Sequence, residues 1–212
     1  MNLIGYDGKE LKKERLKDKM AKLYFYYSVM GGGKTTSLLQ TEYNYSKQGF
    51  KPLIVKPKLD DREGSQNGFG PIKSRIITGQ HQALYVDSVT PEALNGIDFN
   101  ILLVDEVQFF KPKDIEALSD IVDKRNIPVV CYGLKTDANG NLFEGTAKLL
   151  AIADSIKEIK HICKCGSKAT MHVRYIDGKV DTSGEAIAVE KGNVTYESVC
   201  RKCWKQIHGR DR

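Results

Sequence analysis

The sequence predicts an α/β fold, a three-layer domain with a parallel sheet followed by a small second unit, and three observations carry that prediction. Short, almost wholly apolar runs alternate with stretches of helical periodicity, as expected when strands are covered on both faces. A glycine-rich segment sits where the first such strand hands over to a helix. Beyond about residue 160 the texture changes to close-spaced cysteines, glycines and short alternating runs.

The elements follow in order. "KLYFYYSV" (22–29) is aromatic and β-branched and ends at glycines, and "TTSLLQTEYNYSKQG" has helical character and stops at Gly49. "KPLIVK" (51–56), "NILLVDEV" (100–107) and "NIPVVCYGL" (126–134) read as buried strands. Between the last two, "KPKDIEALSDIVDKR" starts near Pro112 and puts Ile115, Leu118, Ile121 and Val122 on one face, a helix. This alternation calls for right-handed crossovers. The expected division is a charged leader over 1–20, an α/β domain over 21–159 and a small metal-stapled domain over 160–212.

Composition agrees with a globular chain: 212 residues, 41% apolar and 28% charged. No run approaches about 18 apolar residues, and the amino terminus lacks the basic-then-apolar layout of a signal peptide, so a cytoplasmic protein without a membrane partner is expected. The net charge of +6 is largely local, because the run from Lys9 to Lys22 contributes four of those charges. Such a mixed-charge leader is expected to be a solvated arm rather than a nucleic-acid site.

In "SVMGGGKTT" the residues Gly33, Lys34 and Thr35 stand at a strand-to-helix junction, where free N–H groups and the helix dipole attract anions. Glycines allow close approach to phosphate, Lys34 brings a mobile charge to the β- and γ-phosphates, and the Thr35 hydroxyl suits Mg²⁺. This is a P-loop pattern, of the RecA-like kind in the expected architecture, with Ser28 where the pattern has its first Gly. In "ILLVDEVQFF" the acids Asp105 and Glu106 close a buried strand, the end at which open α/β sheets bind ligands. Asp105 suits the shell of Mg²⁺ held with ATP, and Glu106 is placed to take a proton from water or a hydroxyl.

Cys163 and Cys165, then Cys200 and Cys203, form two close pairs. Four thiols in a reducing compartment match tetrahedral Zn²⁺ as a structural staple. His161 and His208 flank the pairs as substitute ligands, and Cys131 within "VVCYG" reads as a small buried hydrophobe. On these features alone a P-loop ATPase with a nucleic-acid-binding zinc ribbon is the rival to a kinase.

The order and spacing of "LYFYYSVMGGGKTTSLLQ", "DDR" (60–62), "VDEVQFF", "PVVCYGLKTD", "FEGT", "ICKCGSKA" and "YESVCRKC" resemble the type II thymidine kinases, the cytosolic zinc-containing deoxynucleoside kinases. The resemblance implies ATP-dependent phosphorylation of the 5′-hydroxyl of thymidine or deoxyuridine in nucleotide salvage, by a homotetramer inhibited by dTTP. Carried over by residue, Ser28, Val29, Met30, Gly31, Gly32, Gly33, Lys34 and Thr35 match the ATP loop, with Asp105 and Gln108 beside it. Glu106 matches the general base. Asp60 and Arg62 match residues near the sugar and the transferring phosphate, and Phe109 an aromatic on the base. Ile187, Val189 and Tyr196 match a lasso loop that holds the nucleoside and is tied down by the zinc; where the family has Gly-Gly this chain has Lys191-Gly192.

Overall fold

A computed structural model describes residues 20–60, 65–66, 68–74, 76–181, 183 and 193–209. The leader, Met20 apart, Arg62, Ile187, Val189 and Lys191 lie outside the described residues.

The first strand, β1 (Leu23–Ser28), runs into the glycines and then into α1 (Lys34–Lys47). Gly33 caps this helix with φ 81°, a left-handed conformation that side chains resist, and Gly49 (φ 82°) lies just past its end, the usual place for a helix-stopping glycine. Next come β2 (Pro52–Pro57), β3 (Phe69–Ile72), β4 (His81–Val86) and β5 (Ile101–Val104). The helix α2 (Pro112–Arg125), the strand β6 (Val129–Leu134), α3 (Glu144–Ile152) and β7 (Ser155–Glu158) complete this part of the chain. These strands form one sheet in the order β3-β4-β2-β5-β6-β1-β7.

Every neighbouring pair in the sheet is parallel except β3 with β4. The antiparallel edge was not legible, since Phe69–Ile72 is a four-residue strand interrupted by Gly70 and Pro71. Two expected strands are shorter than their apolar runs. The ladder of β5 stops at Val104 because Glu106 turns into the left-handed region (φ 50°). That of β6 starts only at Val129, because Asn126 (φ 51°) is the cap of α2 and Pro128 has no N–H to give.

Both faces of the sheet are covered, which makes the third layer. Leu38 and Leu39 of α1 pack on Ile54, Ile101, Leu103, Val130 and Tyr132. On the opposite face Ile115, Leu118, Ile121 and Val122 of α2, with Leu149 of α3, cover Phe25, Val55, Leu102, Val104 and Cys131. The four helix residues are those the 3.6-residue periodicity singles out. Cys131 is wholly buried, and burial pushes its thiol pKa up.

The remaining strands make two small sheets. A hairpin pairs β8 (His161–Ile162) with β9 (Lys168–Ala169) around Gly166 (φ 85°). A three-stranded sheet joins β10 (Met171–Ile176), β11 (Lys179–Val180) and β12 (Val194–Val199), and α4 (Arg201–Ile207) follows directly. Trp204 of α4 donates its indole N–H to the Ala138 carbonyl at 3.0 Å, fastening this unit to the loop after β6.

Candidate active site

The glycine-rich loop is built by two constraints. Gly31 and Gly33 hold φ of 69° and 81°, and at Gly32 a Cβ would fall 2.0 Å from the Ser28 Oγ, so close that only glycine fits. Ser28 itself ends β1 and donates its hydroxyl to the Ile159 carbonyl at 2.7 Å. It carries none of the positive φ that would demand glycine, which explains why the pattern's first position tolerates serine. Lys34 is buried and its ammonium donates to the Val29 carbonyl at 3.3 Å, folded back over the loop.

Asp105 and Glu106 reach the same place from β5. The Thr35 hydroxyl donates to Asp105 Oδ2 at 3.1 Å, while Asp105 Oδ1 is buried with no hydrogen-bond partner. Burial, and next the charge of Glu106, push the Asp105 pKa up to about 6, against the pull of Lys56, Lys34 and the Thr35 hydrogen bond. A partnerless buried carboxylate oxygen beside a threonine hydroxyl and a carboxylate neighbour is a hard-oxygen donor set that fits Mg²⁺.

Glu106 sits in the left-handed region at φ 50°, a conformation that costs a non-glycine residue on the order of 1 kcal/mol and is characteristic of functional positions. It is held from below: Gln108 donates to Glu106 Oε2 at 2.5 Å and accepts the Leu134 N–H at 3.0 Å. Gly133 leaves room for this, since a Cβ there would lie 2.7 Å from Gln108 Oε1. Gln108 is therefore buried beneath the site and meets it through Glu106.

The cleft above has a volume of about 410 Å³ and is lined by Met30 to Thr36, Lys56, Asp60, Lys73, Ser74, Ile76, Asp105 and Glu106. Asp60 is in the short 3₁₀ turn after β2, buried, in an ion pair of 2.8 Å with Lys56. Burial alone would lower the Lys56 pKa, but the charges of Asp105 and Asp60 outweigh it and raise it. Phe109 and Tyr196 lie elsewhere. Phe109 is half-buried with its ring edge-on to Phe143, centroids 6.0 Å apart, and Tyr196 is exposed on β12 near His172.

The four cysteines converge although 35 residues separate the two pairs. The Sγ atoms of Cys163, Cys165, Cys200 and Cys203 all lie within 4.8 Å of one another, against edges of about 3.8 Å for a tetrahedron of thiolates around zinc. Two turns make this possible: the β8–β9 hairpin, and the start of α4, where the Cys203 N–H donates to Cys200 Sγ. Hydrogen bonds with Ser167 come first in lowering the Cys165 pKa to about 6, which favours the thiolate a metal takes. Among the described residues the cluster comprises the cysteines alone; His208 stacks on Trp204 instead.

Sequence reasoning missed Lys56, Lys73 and Ser74. Only Lys56 left a trace, as a lysine inside an otherwise apolar strand run, a position that demands a buried partner. Ser74 reaches the site through a 2.7 Å hydroxyl pair with Thr36, a tertiary contact with no local pattern.

A glycine loop at a strand-to-helix junction, facing an acidic strand end on a mostly parallel three-layer sheet, defines a P-loop protein, here with a four-thiol metal site appended. A family model described as thymidine kinase matches residues 21–204. A thymidine kinase of Shewanella oneidensis is 45% identical over 196 residues, covering 89% of this chain and 98% of that protein. One of Vibrio vulnificus strain CMCP6 is 43% identical over 197 residues, covering 90% and 100%. Among solved structures, the Pif1 helicase from Bacteroides in complex with ADP-AlF3 and ssDNA is matched with a TM-score of 0.37 and 14% identity over 74% of this chain and 42% of that one. The chain belongs to the thymidine kinase family.

Proposed function

We propose that this protein transfers the γ-phosphoryl group of ATP to the 5′-hydroxyl of thymidine, and of deoxyuridine, in nucleotide salvage. The observation that carries the proposal is the meeting of Lys34, Thr35, Asp105 and Glu106 on one cleft, with one Asp105 oxygen accepting from the Thr35 hydroxyl and the other buried and unpartnered. Residues 28 to 35 cradle the phosphates through backbone N–H groups at the start of α1. Lys34 leaves the Val29 carbonyl to meet negative charge on the transferring group. Thr35 and Asp105 would hold the Mg²⁺ that accompanies ATP, which would supply positive charge against that of the phosphates.

Glu106, oriented by Gln108, accepts the proton of the attacking hydroxyl. Asp60 and Arg62 are assigned to the sugar and the transferring phosphate; Asp60 in the cleft supports this, held by Lys56. Phe109, Ile187, Val189 and Tyr196 are assigned to the base and its lasso on the strength of the family resemblance. Cys163, Cys165, Cys200 and Cys203 would hold a structural Zn²⁺ that closes the segment between the pairs and supplies folding energy a unit of this size cannot draw from its own core.

The proposal extends to a division near residue 160, to a cytoplasmic homotetramer inhibited by dTTP, and to the absence of nucleic-acid and membrane partners. Among the described residues no helix is long and apolar enough to cross a membrane. The test supplies ATP with one deoxynucleoside at a time and reads nucleoside monophosphate. One ADP per dTMP, and no ADP without nucleoside, is expected; ADP and free phosphate released without nucleoside would overturn the proposal in favour of an ATPase.

A further inference from the structure

The first half of the phosphate loop is gripped from outside the main sheet. The Val29 side chain is 6% exposed, packed in one cluster with Cys163, Ala169, Val173, Val199, Cys200 and Trp204. The next residue, Met30, offers its carbonyl to the Ser198 hydroxyl of β12 at 2.5 Å. Ser198 stands two residues before Cys200, a member of the thiol cluster, so a single turn of chain joins that cluster to the loop.

The peptide that follows Met30 gives this bond its consequence. In a trans peptide the C=O and the next N–H point in opposite directions. With the Met30 carbonyl turned to Ser198, the Gly31 N–H is turned away from β12, and Gly31 is exposed on the lining of the cleft. The space beside Gly31 is open, since a Cβ built there has no neighbour within 4 Å, and glycine at φ 69° can change its backbone angles at little cost. Freed from Ser198, the peptide can turn over and present an oxygen, instead of an N–H, to phosphate.

We propose that Ser198 is a positioning residue for the phosphate loop: by holding the Met30 carbonyl it keeps the Gly31 N–H aimed at the nucleotide phosphates. The inference rests on the loop being the ATP site. It also makes nucleotide affinity depend on the thiol-bearing unit, through β12 and Val29.

The test compares Ser198→Ala and Ser198→Thr in the full chain with its metal content measured. Loss of one hydrogen bond of this kind predicts a three- to ten-fold rise, roughly, in KM for ATP and in Kd for a non-hydrolysable ATP analogue in Ser198→Ala. KM for thymidine and metal content should stay within about two-fold, and Ser198→Thr, which retains the hydroxyl, should restore ATP affinity. Unchanged analogue affinity in Ser198→Ala, an equal rise in KM for thymidine, or no rescue by threonine would each overturn the proposal. Should the wild-type chain bind the analogue yet fail to phosphorylate thymidine, the proposed function falls, while the analogue titration still decides the role of Ser198.

Discussion

Thr35 and Asp105, 70 positions apart in sequence, meet through a 3.1 Å hydrogen bond that ties the first turn of α1 to the end of β5. It occupies one carboxylate oxygen of Asp105 and leaves the other buried and unpartnered. Asp105→Asn keeps the shape but removes the charge that a divalent cation needs. Turnover with saturating thymidine should fall by about 10²-fold or more, and excess Mg²⁺ should recover little of it. Steady-state rates across a Mg²⁺ titration decide this; a wild-type Mg²⁺ profile would sink the assignment.

Glu106 is expected to act at a different step. Glu106→Gln retains a hydrogen-bonding partner for Gln108 but no longer accepts a proton, so kcat should drop roughly 10²-fold with ATP-analogue binding within a few-fold of wild type. Near-native turnover would return the role of base to another group.

Metal removal is expected to act on the binding of both proposed substrates. Cys200→Ser should lose stoichiometric zinc by elemental analysis and weaken thymidine binding severely, roughly ten-fold or more, as expected when a structural site is opened. ATP-analogue affinity should decline as well, because Cys200 shares a packed cluster with Val29 of the phosphate loop. Full zinc content in the variant would show that the four thiols do not act as one site.

His172 makes stability pH-dependent. Burial first, and the charge of Lys34 second, lower its pKa to about 4, below the 6.5 of a free imidazole. Between those values the unfolded chain binds the proton and the folded chain does not, so stability rises with pH. The contribution is complete above pH 6.5 and is lost as the pH falls toward 4, a loss of up to about 3 kcal/mol. Urea denaturation at pH 7 and pH 4.5 should therefore show a smaller difference for His172→Phe than for wild type. Equal differences would mean that the imidazole titrates normally.

The fold and half the site were legible because they are written in local patterns. Uninterrupted apolar runs mark strands buried on both faces, glycines mark a loop whose backbone must approach phosphate, and Asp105 and Glu106 close one of those runs in plain view. Paired cysteines declare a metal unit at any distance. Other features have little or no local signature. The antiparallel pairing of β3 with β4 and the grip of Ser198 on Met30 join residues that meet only in the folded chain, whereas Lys56 and Asp60, and Glu106 and Gln108, are near in sequence and take their roles from the strand ends that carry them and from the gap at Gly133. Period and composition report which face a residue turns to the core, whereas which atoms then meet depends on strand order, and that is settled only when the layers pack. The chemistry of the loop was thus determined by the sequence itself, and the partners that hold it in a working shape were decided by the tertiary structure, because hydrogen bonds require atoms within about 3 Å and separation along the chain does not set that distance.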